Sequence, residues 1–405
     1  MAIPLFFRKD RCMKRFRTYV IGGLCASVMA LFLWGCSQQA AYPGGNDTEV
    51  RVGINLSLTG PGSSYCRSTE QGIELAKDMI NEKGGLMGKN VTLVPVDNHG
   101  NADDAATAVQ QLSTRHVSAI IGPNMTDSAS AVMAYAEAER IPVISPACTD
   151  PNITVDAKTK DVYTYMFRAT FIDPFQARAM GEYATEKLHA KTSAVVFDGK
   201  SPYSKGLAEF YRNAVEAQGK GIVAFIDVSG VGYDENSLVE TLRQSRCDAV
   251  YLPVYDDKAR SLITQIRSAG LTVPLLGADG WNGWALSRDM DPAYLTNLFY
   301  SDHYANDVTK EIAETFAERY YEKYGTLPDS YAALGYDSLM MVADAIRRGQ
   351  STQSERIAKE LARTMDFEGA TGRIILDSNH DAIKDVFILT FWEGKPALLD
   401  KYPAI

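Results

Sequence analysis

The sequence predicts an α/β protein of two lobes, each built on a mostly parallel sheet with helices on both faces. Three observations carry this. Strand-like and helix-like hydrophobic periods alternate along the chain from Glu49 onward. The rhythm restarts after Phe167-Arg168, giving two similar halves of about 120 residues each with a cleft between them. A hydrophobic content of 46% in 405 residues is enough for the cores of about two to three domains. Sheets of this kind bind ligands beyond the carboxyl ends of their strands, so binding residues are sought in the loops there.

Val50, Val52, Ile54 and Leu56 alternate as a strand, Thr59-Gly60-Pro61-Gly62 turns, and Ile73, Ala76, Met79 and Ile80 form a helical stripe that stops at Gly84-Gly85. A second strand runs through Val91, Leu93, Val94 and Val96, with its helix marked by Ala105, Ala108, Val109 and Leu112. Residues 117–121 read as a third strand, 128–139 as a helix and 141–144 as a fourth strand. In the second half, strands are expected over 193–197, 222–228, 249–253 and 273–277, and helices over 205–218, 238–245 and 259–269. Two further helices, 310–324 and 330–348, suit a chain that crosses back to the first lobe before a strand-rich stretch over 372–392.

The N-terminus reads as an address. Arg8, Lys9, Arg11, Lys14, Arg15 and Arg17 precede an apolar run from Tyr19 to Trp34, the basic-then-apolar order of a secretory signal and short for a membrane span. Met13 would also serve as a start. Leu33-Trp34-Gly35-Cys36 resembles the lipobox of bacterial lipoproteins, although Trp34 stands where a small residue is usual; a plain signal anchor is the alternative. The resemblance implies a signal over 1–35, lipidation of Cys36 and a polar tether over 36–49. Acyl chains on Cys36 would anchor an exported chain to the cell envelope, facing the periplasm or on the outer face of the cytoplasmic membrane.

Composition narrows the function classes. With 41 Lys+Arg against 50 Asp+Glu there is no basic footprint, which excludes nucleic acid as a partner. Beyond Cys36 the cysteines are Cys66, Cys148 and Cys247, without CxxC or metal-type spacing, so no metal and no cofactor is expected. The five histidines (99, 116, 189, 303 and 380) form neither HxH nor HExxH, and GxSxG, P-loop and strand-linked GxGxxG motifs are missing. Adjacent pairs such as Asp103-Asp104 and Asp256-Asp257 read as solvated helix starts. No catalytic residue is assigned.

An ordered set of motifs resembles the leucine/isoleucine/valine-binding protein family, the extracytoplasmic receptors of branched-chain and related amino-acid ABC transporters. The set is Ile54-Asn-Leu-Ser-Leu-Thr-Gly-Pro61, the run from Gly72 to Gly88, Ile121-Gly-Pro123, Ile144-Ser-Pro-Ala147, Phe167-Arg168, Tyr203-Ser-Lys-Gly-Leu-Ala208 and Gly277-Ala-Asp-Gly280. The resemblance implies two Rossmann-like lobes joined by a hinge of three crossovers, placed near Arg168, Tyr300 and Gly372. Residues 50–168 and 301–371 would form lobe 1, and 169–300 and 372–405 lobe 2. It further implies capture of a free amino acid with an aliphatic, branched-chain or aromatic side chain, delivery to a membrane permease, and no chemistry on the ligand. A sensory receptor of the same fold, or a receptor for an amide, urea or aromatic acid, is the alternative.

An amino acid needs donors for its carboxylate and acceptors for its ammonium. Thr126, just before a helix where N–H groups and the dipole favour an anion, and Thr149, after the fourth strand, match the family's carboxylate contacts; Ala147 lies in the same loop as Thr149. Asp279 matches the acid that binds the ammonium, with its bland alternative an Asp-Gly turn. Asp in place of the family's frequent Glu shortens the reach by one methylene, bringing the ammonium deeper or toward Asp256. Tyr203 and Tyr255 match aromatic positions that cover the ligand. Tyr65, Met125, Trp281 and Tyr331 are candidates for the side-chain pocket. Asn124 and Arg67 point the other way: an inward Arg67 would admit a second ligand carboxylate, although a long Arg side chain at a helix start is more often solvated. Cys66 and Cys148 adjoin site residues, so a disulfide tying the two loops is weighed against two buried thiols.

Overall fold

The computed structural model describes residues 48–230, 234–307 and 310–404. The expected signal, Cys36 and nearly all of the tether lie outside the described residues. The chain runs through β1 (Glu49–Leu56), α1 (Ser63–Glu82), β2 (Asn90–Asp97), α2 (Ala102–Thr114), β3 (Ala119–Ile121), α3 (Thr126–Glu139), β4 (Val143–Ser145) and β5 (Met166–Arg168). These five strands make a wholly parallel sheet in the order β2-β1-β3-β4-β5. β3 and β4 are buried throughout and apolar except for Ser145, as expected of strands covered on both faces.

The chain then crosses through residues 169–172 into a second lobe: α4 (Asp173–Glu182), β6 (Thr192–Phe197), α5 (Pro202–Ala217), β7 (Gly221–Asp227), α6 (Glu235–Ser245), β8 (Ala249–Tyr251), α7 (Asp256–Ser268), β9 (Leu275–Gly277), α8 (Gly283–Asp289) and β10 (Leu298–Asp302). After β10 it returns to the first core with α9 (Glu311–Tyr324), α10 (Ser330–Gly349) and α11 (Ser354–Leu361), which contribute Phe316, Leu339, Ile346 and Ile357. β11 (Phe367–Gly369), β12 (Gly372–Leu376) and β13 (Ala382–Ile383) form a small antiparallel sheet, and β14 (Val386–Trp392) and β15 (Lys395–Tyr402) complete the second sheet, ordered β15-β14-β10-β9-β8-β6-β7.

The third crossover differs from the expectation at Gly372. Ile374, Leu376 and Ala382 pack into the first-lobe core, and the chain joins the second sheet only at Val386, so the crossing falls at 384–385. The stretch is strand-rich as read, but its first part is a hairpin that serves lobe 1. Each crossover carries a wholly buried polar side chain: Thr170, His303 and Lys384.

Two glycines set the geometry of the first-lobe rim of the cleft. A Cβ on Gly72 of α1 would stand 1.8 Å from the Ala332 carbonyl oxygen, and one on Gly335 of α10 would stand 2.2 Å from that of Thr69. Only hydrogen at both positions lets the two helices touch backbone to backbone. That contact brings Tyr65 and Tyr331 together, with ring centroids 4.6 Å apart.

Candidate functional site

The loops beyond β3, β4, β8 and β9 and the starts of α1, α5 and α10 converge between the lobes. Tyr65, Ala147, Tyr331 and Leu334 from the first lobe form one apolar cluster, with Met125 and the second-lobe Tyr255 packed against it. Tyr255 stacks on Tyr203 at 4.7 Å between centroids, and the Tyr203 hydroxyl donates to Asp279 Oδ1 at 2.7 Å.

First-lobe hydroxyls also reach across to the loop carrying Asp279. Tyr331 donates to the Asp279 carbonyl at 3.0 Å and Tyr65 to that of Gly280 at 2.9 Å, while the Tyr65 oxygen accepts from the Asp256 N–H. The Asp256 carboxylate accepts from the Asp257 N–H. Asn282 donates to Asp329 at 2.9 Å, adding a fourth link between the lobes.

Thr126, expected just before a helix, is the first residue of α3. Met125 occupies the cap position and supplies no side-chain bond, so the leading N–H groups of α3 have no intrahelical or side-chain cap partner. The buried Thr126 hydroxyl meets the Cys148 thiol at 3.7 Å. Thr149 is 1% exposed, and its hydroxyl makes no hydrogen bond of good geometry, although it lies close enough to favour the Asp173 carboxylate. The loop holding Thr149 is braced from below by the wholly buried Arg168, which donates to the carbonyls of Cys148 (2.9 Å) and Asp150 (2.6 Å) and pairs with Asp381 at 2.7 Å.

Several groups here were not singled out in the sequence. Gln176 of α4 donates from Nε2 to Asp173 Oδ1 (3.0 Å) and to Asp279 Oδ1 (2.9 Å), and its Oε1 accepts from Ser301. His303 Nε2 stands 3.2 Å from Asp279 Oδ2, and its ring lies against Phe171 at 3.9 Å. The Asp-Pro pair opening α4 was the available signal for Gln176; nothing local marks His303. Burial, reinforced by Asp279, pushes the Asp173 carboxyl up to about 8, and burial holds His303 down to about 4 despite the opposing pull of Asp279. Burial also raises the Tyr203 phenol well above its ordinary range. Near neutrality the histidine is therefore uncharged. Among the described residues neither Asp173 nor Asp279 pairs with a lysine or arginine. A carboxylate so placed, 3% exposed beneath stacked tyrosines, is suited to a small cation.

One sequence expectation is corrected, and two alternatives left open by the sequence are resolved. Trp281 does not join the site: it lies in the second-lobe core, its indole N–H donating to the Leu252 carbonyl at 3.0 Å, because the loop after β9 turns it inward under Gly277. Cys66 and Cys148 are free buried thiols in separate apolar clusters, both pushed up to about 12 by burial, and not a disulfide. Arg67 is exposed and donates to the Leu58 carbonyl, so it brings no charge inward. Asn124 is buried and donates to Thr69 at 2.7 Å, its own Oδ1 unpartnered.

A family model described as periplasmic binding protein matches residues 49–395, and the chain belongs to that family. Over 350 residues it is 25% identical to the Leu/Ile/Val-binding protein homolog 3 of Brucella melitensis, covering 85% of this chain and 92% of the relative. Among solved structures it is similar to the leucine-binding protein LivK of Thermotoga maritima, with TM-score 0.79, 32% identity, and 87% and 99% of the two chains covered. The branched-chain amino acid transporter substrate-binding protein LivJ of Streptococcus pneumoniae, solved with isoleucine, gives TM-score 0.78, 31% identity, and 87% and 99%. Within the periplasmic binding proteins the chain therefore falls with those of the branched-chain amino-acid group.

Proposed function

We propose that the protein captures a free α-amino acid with an apolar side chain between its lobes and delivers it to an ABC permease. The observation that carries the reading is Asp279: a carboxylate buried between the lobes, with no lysine or arginine beside it among the described residues, under the Tyr203–Tyr255 stack. In this reading Asp279 and Tyr203 hold the ammonium. The N-terminus of α3, Thr126 and Thr149 hold the carboxylate. Tyr65, Met125, Ala147, Tyr255 and Tyr331 enclose the side chain.

Because residues from both lobes contact one ligand, binding favours the closed arrangement by its differential affinity, and a permease distinguishes that surface from the open one. The N-terminal sequence supports an exported chain tethered through lipidated Cys36. Among the described residues no helix is long and apolar enough to cross a membrane. Calorimetric titration with leucine, isoleucine, valine and phenylalanine, against analogues lacking the amine, tests the reading. Binding of the amino acids but not of the analogues is expected; equal binding of both would overturn the ammonium site.

A further inference from the structure

We infer that His303 is a positioning residue for the ammonium site, holding the Asp279 carboxylate and tying it to the hinge. The inference rests on the reading of Asp279 as the ammonium contact. A carboxylate only accepts, so the His303 nitrogen facing Asp279 Oδ2 at 3.2 Å must be the protonated one. That assigns the Nε2–H tautomer; the Thr170 hydroxyl stands 3.1 Å from Nδ1 and 3.2 Å from Nε2, and of the two only Nδ1 is left with a lone pair to accept from it. The result is a directed string, Thr170 to His303 to Asp279, in which every group is at least nine-tenths buried.

The two ends of the string belong to different parts of the machine. Thr170 lies in the first crossover and His303 at the start of the second, whereas Asp279 lies in the ligand loop after β9. Phe171, also in the first crossover, covers the imidazole face and fixes its plane. Thr170 is wholly buried in the hinge, so the string conveys orientation and presents no nucleophile to a substrate. Asp279 Oδ1 already accepts from Tyr203 and Gln176. With His303 on Oδ2, three of about four acceptor sites are filled, and the remaining one, on Oδ2, is aimed by the imidazole. A change of angle between the crossovers moves His303 relative to Thr170, and hence reorients the oxygen that meets the ammonium.

The charged and titratable groups facing the imidazole are Asp279 from the ligand loop and, at longer range, Lys384 from the third crossover. Neither replaces the neutral donor that His303 supplies. The test compares leucine with its amine-lacking analogue 4-methylpentanoate, using the selectivity ratio of their Kd values measured with the purified full chain. His303→Leu removes the donor and is expected to lower the ratio roughly tenfold, the loss of one hydrogen bond to a charged group. His303→Gln, which keeps an N–H donor, restores most of it. Should His303→Leu fail to fold, Thr170→Val, which frees the tautomer while preserving shape, is expected to lower the ratio in the same direction.

A purely structural role would weaken both ligands alike and leave the ratio fixed. An unchanged ratio in His303→Leu, or in Thr170→Val where it stands in, alongside a collapsed one in Asp279→Asn, would overturn the inference and leave the ammonium site standing. An unchanged ratio in Asp279→Asn would overturn both.

Discussion

Replacing Asp279 by Asn keeps the side-chain volume and an oxygen for the Tyr203 and Gln176 donors while removing the charge. An ammonium at hydrogen-bonding distance, about 3 Å from the carboxylate, gains roughly 5 to 6 kcal/mol at an effective dielectric of about 20. Desolvation of both partners offsets part of this, and truncating one member of a buried charge pair costs about 2–5 kcal/mol in measured complexes. A loss near 3 kcal/mol corresponds to a Kd for leucine raised roughly 150-fold. The assay is calorimetric titration of wild type, Asp279→Asn and, as control, Asp257→Asn, whose parent side chain is exposed on α7. The control should bind as wild type does. The amine-lacking analogue should bind Asp279→Asn at least as well as wild type. A leucine Kd within about threefold of wild type in a folded Asp279→Asn protein would refute the assignment.

Other perturbations probe the frame around the site. Gly72→Ala or Gly335→Ala forces α1 from α10 and should destabilise the fold by about 1–3 kcal/mol or more while weakening every ligand, as read by chemical denaturation and titration. Asp173, neutral in the folded state up to about pH 8, binds a proton that the unfolded chain releases near pH 4. Its contribution is thus complete below pH 4 and is lost as pH rises toward 8. Asp173→Asn should gain stability over wild type by at most about 1.4 kcal/mol per pH unit across that window, measured by denaturation at several pH values; a constant difference would exclude this cause. His303 has the opposite sign. Its folded value of about 4 means stability fully present above pH 6.5 and lost as pH falls toward 4, so His303→Gln should flatten that acid limb by up to about 3 kcal/mol. Cys66 and Cys148 should resist iodoacetamide in the native protein and both react after unfolding without reductant, as read by intact mass; a mass indicating a disulfide would contradict the packing.

The elements legible in the sequence are those with an unbroken period. Val50 to Leu56 and the stripe from Ile73 to Ile80 show theirs without interruption, and both are formed. The segments passed over are short or mixed in pattern: α4 buries Gln176 and Asp173 among alanines, α8 spans a few residues, and β10 ends in Ser301-Asp302. Of these, α4 supplies Gln176 to Asp279, and the end of β10 leads directly into His303. Polar residues buried for mutual hydrogen bonding read locally as surface, so Gln176 and His303 became visible only when strands distant in sequence met. Trp281 shows the converse: an aromatic beside a ligand loop suggested a pocket wall, but the tight turn at Asp279-Gly280 sends it into the core. The crossover expected at Gly372 failed because period alone does not say which core a β-hairpin packs against.

The most direct test of the central claim is a crystal structure of the protein grown with leucine. The ammonium is expected within hydrogen-bonding distance of the Asp279 carboxylate and under Tyr203, the carboxylate at the start of α3 beside Thr126 and Thr149, and the side chain among Tyr65, Met125 and Tyr331. A ligand held the other way round, with its carboxylate toward the second lobe and its ammonium away from Asp279, would contradict it.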